Sequence, residues 1–162
     1  MTPNDLLAAG YRMSQQFLHR MVDDLTEEEF RHQPVPGANS AAWIVGHLGV
    51  VACRSAARLG AVGLPELAAE TTARFTATKK AAGEQVALGT KAELLALFDA
   101  GTEKLIAAVR VLPAEALTNP NTSGPAFAAN LGEAVLFGTI HIGMHSGQLS
   151  TIRRSLGKPP AI

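Results

Sequence analysis

Apolar residues recur at helical spacing in four long segments of this chain, and each segment has recognisable ends. A Thr, Asn or Ser residue that can cap a helix stands where each segment begins, and a Gly or Pro follows the last helical turn of three of them. We therefore predict four long helices: from about Thr2 or Pro3 to Asp24, from Asn39 or Ser40 to Leu59, from Thr90 to Pro113, and from Asn130 to Gly157.

Short helices and one long connection separate these segments. We predict a short helix after Thr26, in "TEEEF", and another after Pro113, in "PAEAL". The connection from Gly60 to Gly89 is long enough for a crossover, so the second and third helices need not be antiparallel neighbours. Strand signals are nearly absent. The prediction is an all-α fold, a four-helix bundle formed by one domain that covers residues 1–162.

Composition narrows the classes of function. Hydrophobic residues make up 47% of the chain, charged residues 17%, and the formal net charge is zero, so no basic excess indicates nucleic-acid binding. The longest nearly apolar run, from Ala41 to Cys53, contains His47 and is too short to span a bilayer. Charged residues interrupt the N-terminal segment, which has no signal-peptide pattern. The single cysteine, Cys53, indicates a reducing compartment, and we expect a cytoplasmic protein.

The fourth helix carries two histidines on its inward face. His145 occupies a position of that face where Leu would be expected. His141 lies roughly 40° around the helix from His145, and Gln148 within about 20° of His141. Burial without a partner costs about 1–3 kcal/mol for each imidazole, so the pair either binds a metal or forms ordinary hydrogen bonds. The face consists of Leu131, Val135, Gly138, Ile142, His145, Leu149, Ile152 and Leu156.

A third histidine favours the metal interpretation. His47 on the second helix has apolar residues three positions before it and four after it, which predicts that it also points inward. Three histidines on helices that face each other can hold zinc with one position open, as in catalytic rather than structural sites. Trp43, one turn before His47, is predicted to anchor the core or to form a wall of the pocket. His19 and His32 are predicted to have surface or capping roles.

Three segments give the chain a family resemblance: "LTEEEFRHQPVPGANSAAWIVGHL", "TKAELLALFD" and "HIGMHSGQLSTIRRSLGKPP". Their order and their motifs, N-S-x-x-W-x-x-x-H and H-x-x-x-H-x-G-Q-L, resemble the DinB-like superfamily of metal-binding proteins over almost the whole chain. The resemblance implies a four-helix bundle with up-down-down-up connectivity and a homodimer. It also implies a divalent metal, often nickel or zinc, held by three histidines, which match His47, His141 and His145 here.

The resemblance also implies a reaction class. Characterised enzymes of this kind are transferases and isomerases that use bacillithiol, mycothiol or glutathione. Many relatives carry Glu directly after the first histidine of the pair, where this chain has Ile142, so a metalloprotease-type general base is not expected there. A carboxylate near the metal must come from elsewhere or be absent.

The preferred hypothesis is a transferase in which the metal activates a low-molecular-weight thiol that attacks a small electrophilic substrate. The alternatives are a hydrolase that uses metal-bound hydroxide, and a non-catalytic protein that binds metal or dimerises. Gln148 either orients a ligand, supports a histidine, or is a buried amide bonded to the backbone. Arg153 and Arg154 are predicted to interact favourably with the negative, C-terminal end of the last helix dipole. The Gly60–Gly89 segment, with Phe75, Lys79 and Lys80, either covers the site or is a passive linker.

Overall fold

A computed structural model describes residues 1–76 and 88–161, and within these ranges the chain is all-helical, as predicted. Extended residues pair within the described ranges only in an isolated bridge of Pro120 with Asn130. None of the described helices is long and apolar enough to cross a membrane. The elements are α1 (Pro3–Val22), α2 (Glu27–Phe30), α3 (Ala41–Arg58), α4 (Ala69–Thr76), α5 (Lys91–Val111), a 3-10 turn (Ala114–Thr118) and α6 (Leu131–Ser155).

Side-chain caps begin the long helices where the sequence predicts them. Ser40, rather than Asn39, caps α3, because its hydroxyl accepts a hydrogen bond from a backbone N–H in the first turn. Thr90 forms the predicted capping box with Glu93 at the start of α5, and Asn130 caps α6. These contacts satisfy backbone donors that the first turn of a helix leaves unpaired.

α1 packs against α6, and the two helices run in the same direction. The Tyr11 hydroxyl, near the middle of α1, donates to the Val135 carbonyl, near the start of α6, at 2.7 Å. Near their ends, the Arg153 guanidinium donates to the Met21 carbonyl at 3.0 Å. A side chain at Gly138 would place its Cβ in contact with the Tyr11 hydroxyl, so glycine permits this close approach.

α1 runs antiparallel to α5. The Asn4 amide, at the start of α1, donates to the Val109 carbonyl near the end of α5 at 2.8 Å. Further along α1, the Gln15 amide donates to the Asp99 carboxylate at 2.7 Å, in the first half of α5. α1 therefore bridges two helices from the C-terminal half of the chain.

α3 packs along α5 in parallel, and glycines mark the contact. An ideal Cβ on Gly49 would lie 2.9 Å from Leu97, and one on Gly101 would lie 2.8 Å from the Cys53 sulfur. α3 also contacts α6. Cys53 is buried, and burial raises the pKa of its thiol.

The core-facing side of α1 differs from its apolar pattern. Leu6 and Met13, seven residues apart and so on one face of the helix, are 63% and 69% exposed. In the first half of α1, the side that packs inward carries the smaller or more polar residues Asn4, Ala8 and Tyr11. Hydrogen bonds satisfy the Asn4 amide and the Tyr11 hydroxyl in the core, so polarity does not force them outward.

The inward face of α6 is buried as predicted over its central part, whereas Arg153 has a role that the sequence did not indicate. Arg153 is only 5% exposed, and its guanidinium pairs with the Asp24 carboxylate and donates to the Met21 and Pro159 carbonyls. It therefore ties the end of α6 to the end of α1 and to the C-terminal tail. Buried members of the face are Val135, Ile142, His145, Leu149 and Ile152.

Candidate metal centre

The three inward histidines predicted from the sequence meet at one point between α3 and α6. The Nε2 atom of His141 lies 3.3 Å from Nε2 of His47 and 3.1 Å from Nε2 of His145. One ligand nitrogen from each ring lies within 4.8 Å of the others, and this is the only such group of His, Cys, Asp or Glu among the described residues. The helical turn between His141 and His145 places two of the rings, and the packing of α3 on α6 supplies the third.

Hydrogen bonds at the opposite ring nitrogens determine which nitrogen faces the cluster. His47 Nδ1 lies 2.7 Å from the carbonyl oxygen of Phe75 in α4, which can only accept, so Nδ1 carries the proton and donates. His145 Nδ1 lies 3.0 Å from the Gln148 side-chain oxygen and donates to it in the same way. Both neutral rings therefore present an unprotonated Nε2 to the shared point, the tautomer that metal-binding histidines need.

The spacing of the nitrogens fits a tetrahedral metal ion. Two imidazole nitrogens bound to zinc at about 2.0–2.1 Å in tetrahedral geometry lie roughly 3.3–3.4 Å apart, close to the 3.3 and 3.1 Å that separate Nε2 of His141 from Nε2 of His47 and of His145. Hydrogen bonds among three neutral rings without a metal ion explain the arrangement less well. His141 has at most one proton on Nε2, which can donate well to only one of its two neighbours.

Burial keeps these rings neutral near pH 7. Burial, and then the neighbouring His145 and His47, lower the pKa of His141 to about 4. Burial also lowers the pKa of His47 and of His145, although the acceptors at Phe75 and Gln148 act in the opposite direction. Neutral imidazole is the form that binds metal.

Aromatic rings surround the histidines. Trp43 is 4% exposed and stacks on His47, with ring centroids 4.8 Å apart and planes 9° apart, so it is both a core residue and a wall of the site. Phe137, one turn before His141, stacks on that ring with centroids 5.8 Å apart. No hydrogen-bond partner for the buried Trp43 indole N–H is found within the described residues. These rings hold two of the three imidazoles in fixed planes.

A cavity of about 440 Å³ lies beside the cluster and has His141 in its lining. Apolar side chains of α3, α5 and α6 form much of its wall, including Val51, Leu105 and Val135, and residues 119–125 supply a polar wall. Its volume lies within the range of about 300–1,000 Å³ that is usual for small-molecule sites. A small molecule can therefore approach the cluster from the side of His141.

Two contacts of the site were missed from the sequence. The Phe75 carbonyl that orients His47 belongs to the long connection. The sequence left two roles open for that segment, a cover over the site or a passive linker. The Phe75 ring packs against α3 at Gly46, where an ideal Cβ would lie 2.2 Å from the ring. In the sequence, the glycine directly before His47 was the available signal that another segment packs closely there. Phe137 was also missed, and its position four residues before His141 was the signal there. Lys79 and Lys80 lie outside the described residues.

The remaining sequence-predicted residues are not part of the histidine cluster itself. Gln148 is exposed and bonds to His145, which excludes the buried-amide interpretation. His19 lies between the Asp23 and Asp99 carboxylates, and the His32 ring is 2.9 Å from the Ser155 hydroxyl. Ile142 is buried, and no carboxylate of the described ranges joins the histidine cluster.

Comparison with known proteins bears on the family of the chain. No curated protein matches it. The sequence does match the DinB superfamily over residues 11–149, a range that contains all three clustered histidines as well as Trp43 and Gln148. The match covers most of the chain and agrees with the resemblance of its motifs. The protein belongs to the DinB superfamily.

Proposed function

We propose that this protein is a metal-dependent transferase that binds zinc or nickel through His47, His141 and His145 and uses the ion to activate a low-molecular-weight thiol. The observation that carries the proposal is the convergence of three histidine rings, in which the two Nε2 separations that involve His141, 3.3 and 3.1 Å, are near those of a tetrahedral site. A bound divalent ion with three neutral ligands would supply Lewis acidity and lower the pKa of a thiol or water at its open position.

The residues around the histidines have supporting roles in this proposal. Gln148 holds the proton of His145 on Nδ1, and the Phe75 carbonyl does the same for His47, so that each ring keeps a free Nε2. Trp43 fixes the plane of the His47 ring by stacking on it. The cavity beside His141 admits the small-molecule substrate and the thiol, and its apolar walls limit the water around them.

Elemental analysis tests the metal site. The purified protein should contain zinc or nickel. Loss of an outer hydrogen-bond partner lowers metal affinity roughly 10–100-fold. His47→Ala removes a ligand itself, so its affinity should fall by more than that and its metal content should fall with it. His32→Ala is the matched control, because His32 lies outside the cluster. Undiminished metal content in His47→Ala would refute the three-histidine assignment.

The thiol requirement separates the proposed transferase from the two alternatives. Turnover of an electrophilic aromatic chloride should need both the metal and added thiol, such as glutathione. Full turnover of substrates in thiol-free buffer would instead identify a hydrolase that acts through activated water. A protein without bound metal, with unchanged structure in His145→Ala, would identify a non-catalytic role.

The finer architecture is part of the proposal. We infer a single domain over residues 1–162 in which α1, α3, α5 and α6 form a four-helix bundle with up-down-down-up connectivity. Parallel contacts of α1 with α6 and of α3 with α5, and the antiparallel contact of α1 with α5, support this order. A cytoplasmic location stays a prediction from the single cysteine.

A homodimer is the proposed assembly, and an exposed apolar face of α6 and α1 supports it. Leu136, Ile140 and Met144, four residues apart on α6, are 47%, 52% and 62% exposed. Leu6 of α1 borders the same groove as Leu136. Contiguous exposed apolar surface of this kind marks interfaces, and a two-fold dimer buries the same patch on both copies.

Sedimentation measurements test the dimer. The protein should sediment as a dimer, and Leu136→Glu should convert it to a monomer, because burial of an unpaired carboxylate is costly. Val62→Glu is the control, since Val62 is 81% exposed and outside this face. A monomer at all concentrations of the unchanged protein would refute this assembly.

A further inference from the structure

The cavity beside His141 also reaches a cationic residue that the proposed metal chemistry does not use. Arg58 is the last residue of α3 and lines the same cavity as His141. Along α3, Arg58 lies roughly 16 Å from His47 at 1.5 Å of rise per residue. The cavity therefore connects the proposed metal centre with a guanidinium that is well separated from it.

The Arg58 guanidinium is available to a ligand. Its side chain is exposed, and it makes no ion pair or hydrogen bond within residues 1–76 and 88–161. By contrast, the buried Arg153 is fully engaged by Asp24 and by backbone carbonyls. Ser55, one turn before Arg58, places a hydroxyl on the same cavity wall. A guanidinium prefers planar carboxylates or phosphates, which it binds through two parallel N–H···O bonds.

The walls between the two ends suit an elongated, largely apolar body. Leucine and valine side chains of α3, α5 and α6 form much of this surface. The polar wall at residues 119–125 is held in place by its own contacts, because the Asn121 amide donates to the Pro125 and Ala128 carbonyls at 3.0 and 3.2 Å. The leucines and valines of this lining are Val51, Leu105, Leu131 and Val135, together with Leu59 directly after α3.

We propose that the cavity binds a carboxylate-bearing thiol in extended form, with its sulfur at the His141 end and its carboxylate paired with Arg58. This inference rests on the proposed thiol-dependent function and names the class of thiol that it takes. Arg58 acts as a binding residue that selects thiols by the charge at their far end. Thiols without that anionic group, or too short to reach it, lack this interaction.

Thiol acids of different length test the proposal. The probes are 11-mercaptoundecanoic acid, its methyl ester and 3-mercaptopropionic acid, titrated calorimetrically into the zinc-loaded protein and into Arg58→Gln. The long acid should bind the unchanged protein about two- to fivefold more tightly than its ester, because Arg58 is exposed and an exposed charge pair contributes about that much. Arg58→Gln should remove this preference and leave binding of the short acid and the zinc content unchanged.

Arg54→Gln is the matched control, since Arg54 is an exposed arginine one turn earlier on α3 that does not line the cavity. It should keep the preference for the long acid. Equal affinity of acid and ester, an unchanged preference in Arg58→Gln, or no binding of any probe would overturn the proposal. An Arg58 that only balances the negative pole of α3 would change stability and leave the acid-to-ester ratio as it was.

A thioether probe separates this inference from the proposed function. The S-methyl derivative of the long acid keeps the carboxylate and lacks the thiol proton. If it binds as tightly as the thiol, and Arg58→Gln weakens both, the carboxylate site stands and thiol activation fails. If the thiol binds much more tightly than the thioether, and Arg58→Gln weakens neither, thiol binding stands and the role of Arg58 fails.

Discussion

Gly46→Ala should weaken metal binding, although glycine has no side chain that could bind a metal ion. An ideal Cβ at this position would lie 2.2 Å from the Phe75 ring, so the ring must shift. The Phe75 carbonyl would move with it and lose its 2.7 Å hydrogen bond to His47 Nδ1. Loss of such an outer partner costs about 10–100-fold in metal affinity, and we expect a decrease of that size.

The effect on stability should be smaller than the effect on metal binding. Overpacking in a core costs about 1–3 kcal/mol, whereas replacing glycine by alanine inside a helix recovers about 1 kcal/mol. We therefore expect a net loss of about 0–2 kcal/mol in the free energy of unfolding of the metal-free protein. Zinc affinity is measured by competition with a chelator, and stability by urea denaturation.

Gly49→Ala is the matched control on the same helix. Its Cβ would press against Leu97 at 2.9 Å and against the α5 backbone, away from the histidines. It should lower stability and leave zinc affinity unchanged. Adding Phe75→Leu to Gly46→Ala should relieve the clash and recover zinc affinity. Wild-type affinity in a folded Gly46→Ala protein would refute the role assigned to the Phe75 carbonyl.

Three further predictions follow from contacts near the site and between the helices. Gln148→Leu removes the acceptor of His145 and should lower zinc affinity about 10–100-fold, whereas equal affinity would assign Gln148 to the surface alone. Burial lowers the pKa of His19, but hydrogen bonds to two carboxylates outweigh it and raise that pKa. The protonated His19 ring stabilises the fold fully at pH values below its unfolded-state pKa near 6.5, and this stabilisation is lost as the pH rises through its raised folded-state pKa. The difference in urea midpoint between wild type and His19→Gln should therefore be larger at pH 5.5 than at pH 8.5. Gly138→Ala should lower the free energy of unfolding by about 1–3 kcal/mol through overpacking, and less so in a Tyr11→Phe background, where the hydroxyl that meets the new Cβ is gone.

The sequence predicted the four long helices and the histidine pair of α6 because both depend on local periodicity, whereas α4, inside the long connection, was not predicted. Capping residues and glycines placed the helix ends within a few residues, as Ser40 and Thr90 show. His145 stood out because it replaced an apolar residue in a regular inward face, and His141 followed from one helical turn. The position of His47 opposite this pair required the packing of two helices, which spacing alone does not determine.

The features that were missed depend on contacts between distant segments. Leu6 and Met13 have the spacing of a core face, but Asn4 and Tyr11 face the core because carbonyls of α5 and α6 accept their hydrogen bonds. No pattern within α1 reveals those acceptors. In the sequence, Arg153 similarly resembles a cation at a helix end. Its buried ion pair appears only when the fold places the Asp24 carboxylate and the C-terminal tail next to it. Polar residues whose partners are far away in sequence are therefore the ones that periodicity misplaces.

The pairing of the helices has a consequence for synthesis on the ribosome. α1 packs mainly on α5 and α6, and α3 packs mainly on α5, so each early helix finds its main partner in the second half of the chain. The first half of the nascent chain thus emerges with its apolar surfaces uncovered, and native packing waits for α5. Ribosome-bound chains that end before residue 91 should be sensitive to protease and should bind chaperones that recognise exposed apolar segments.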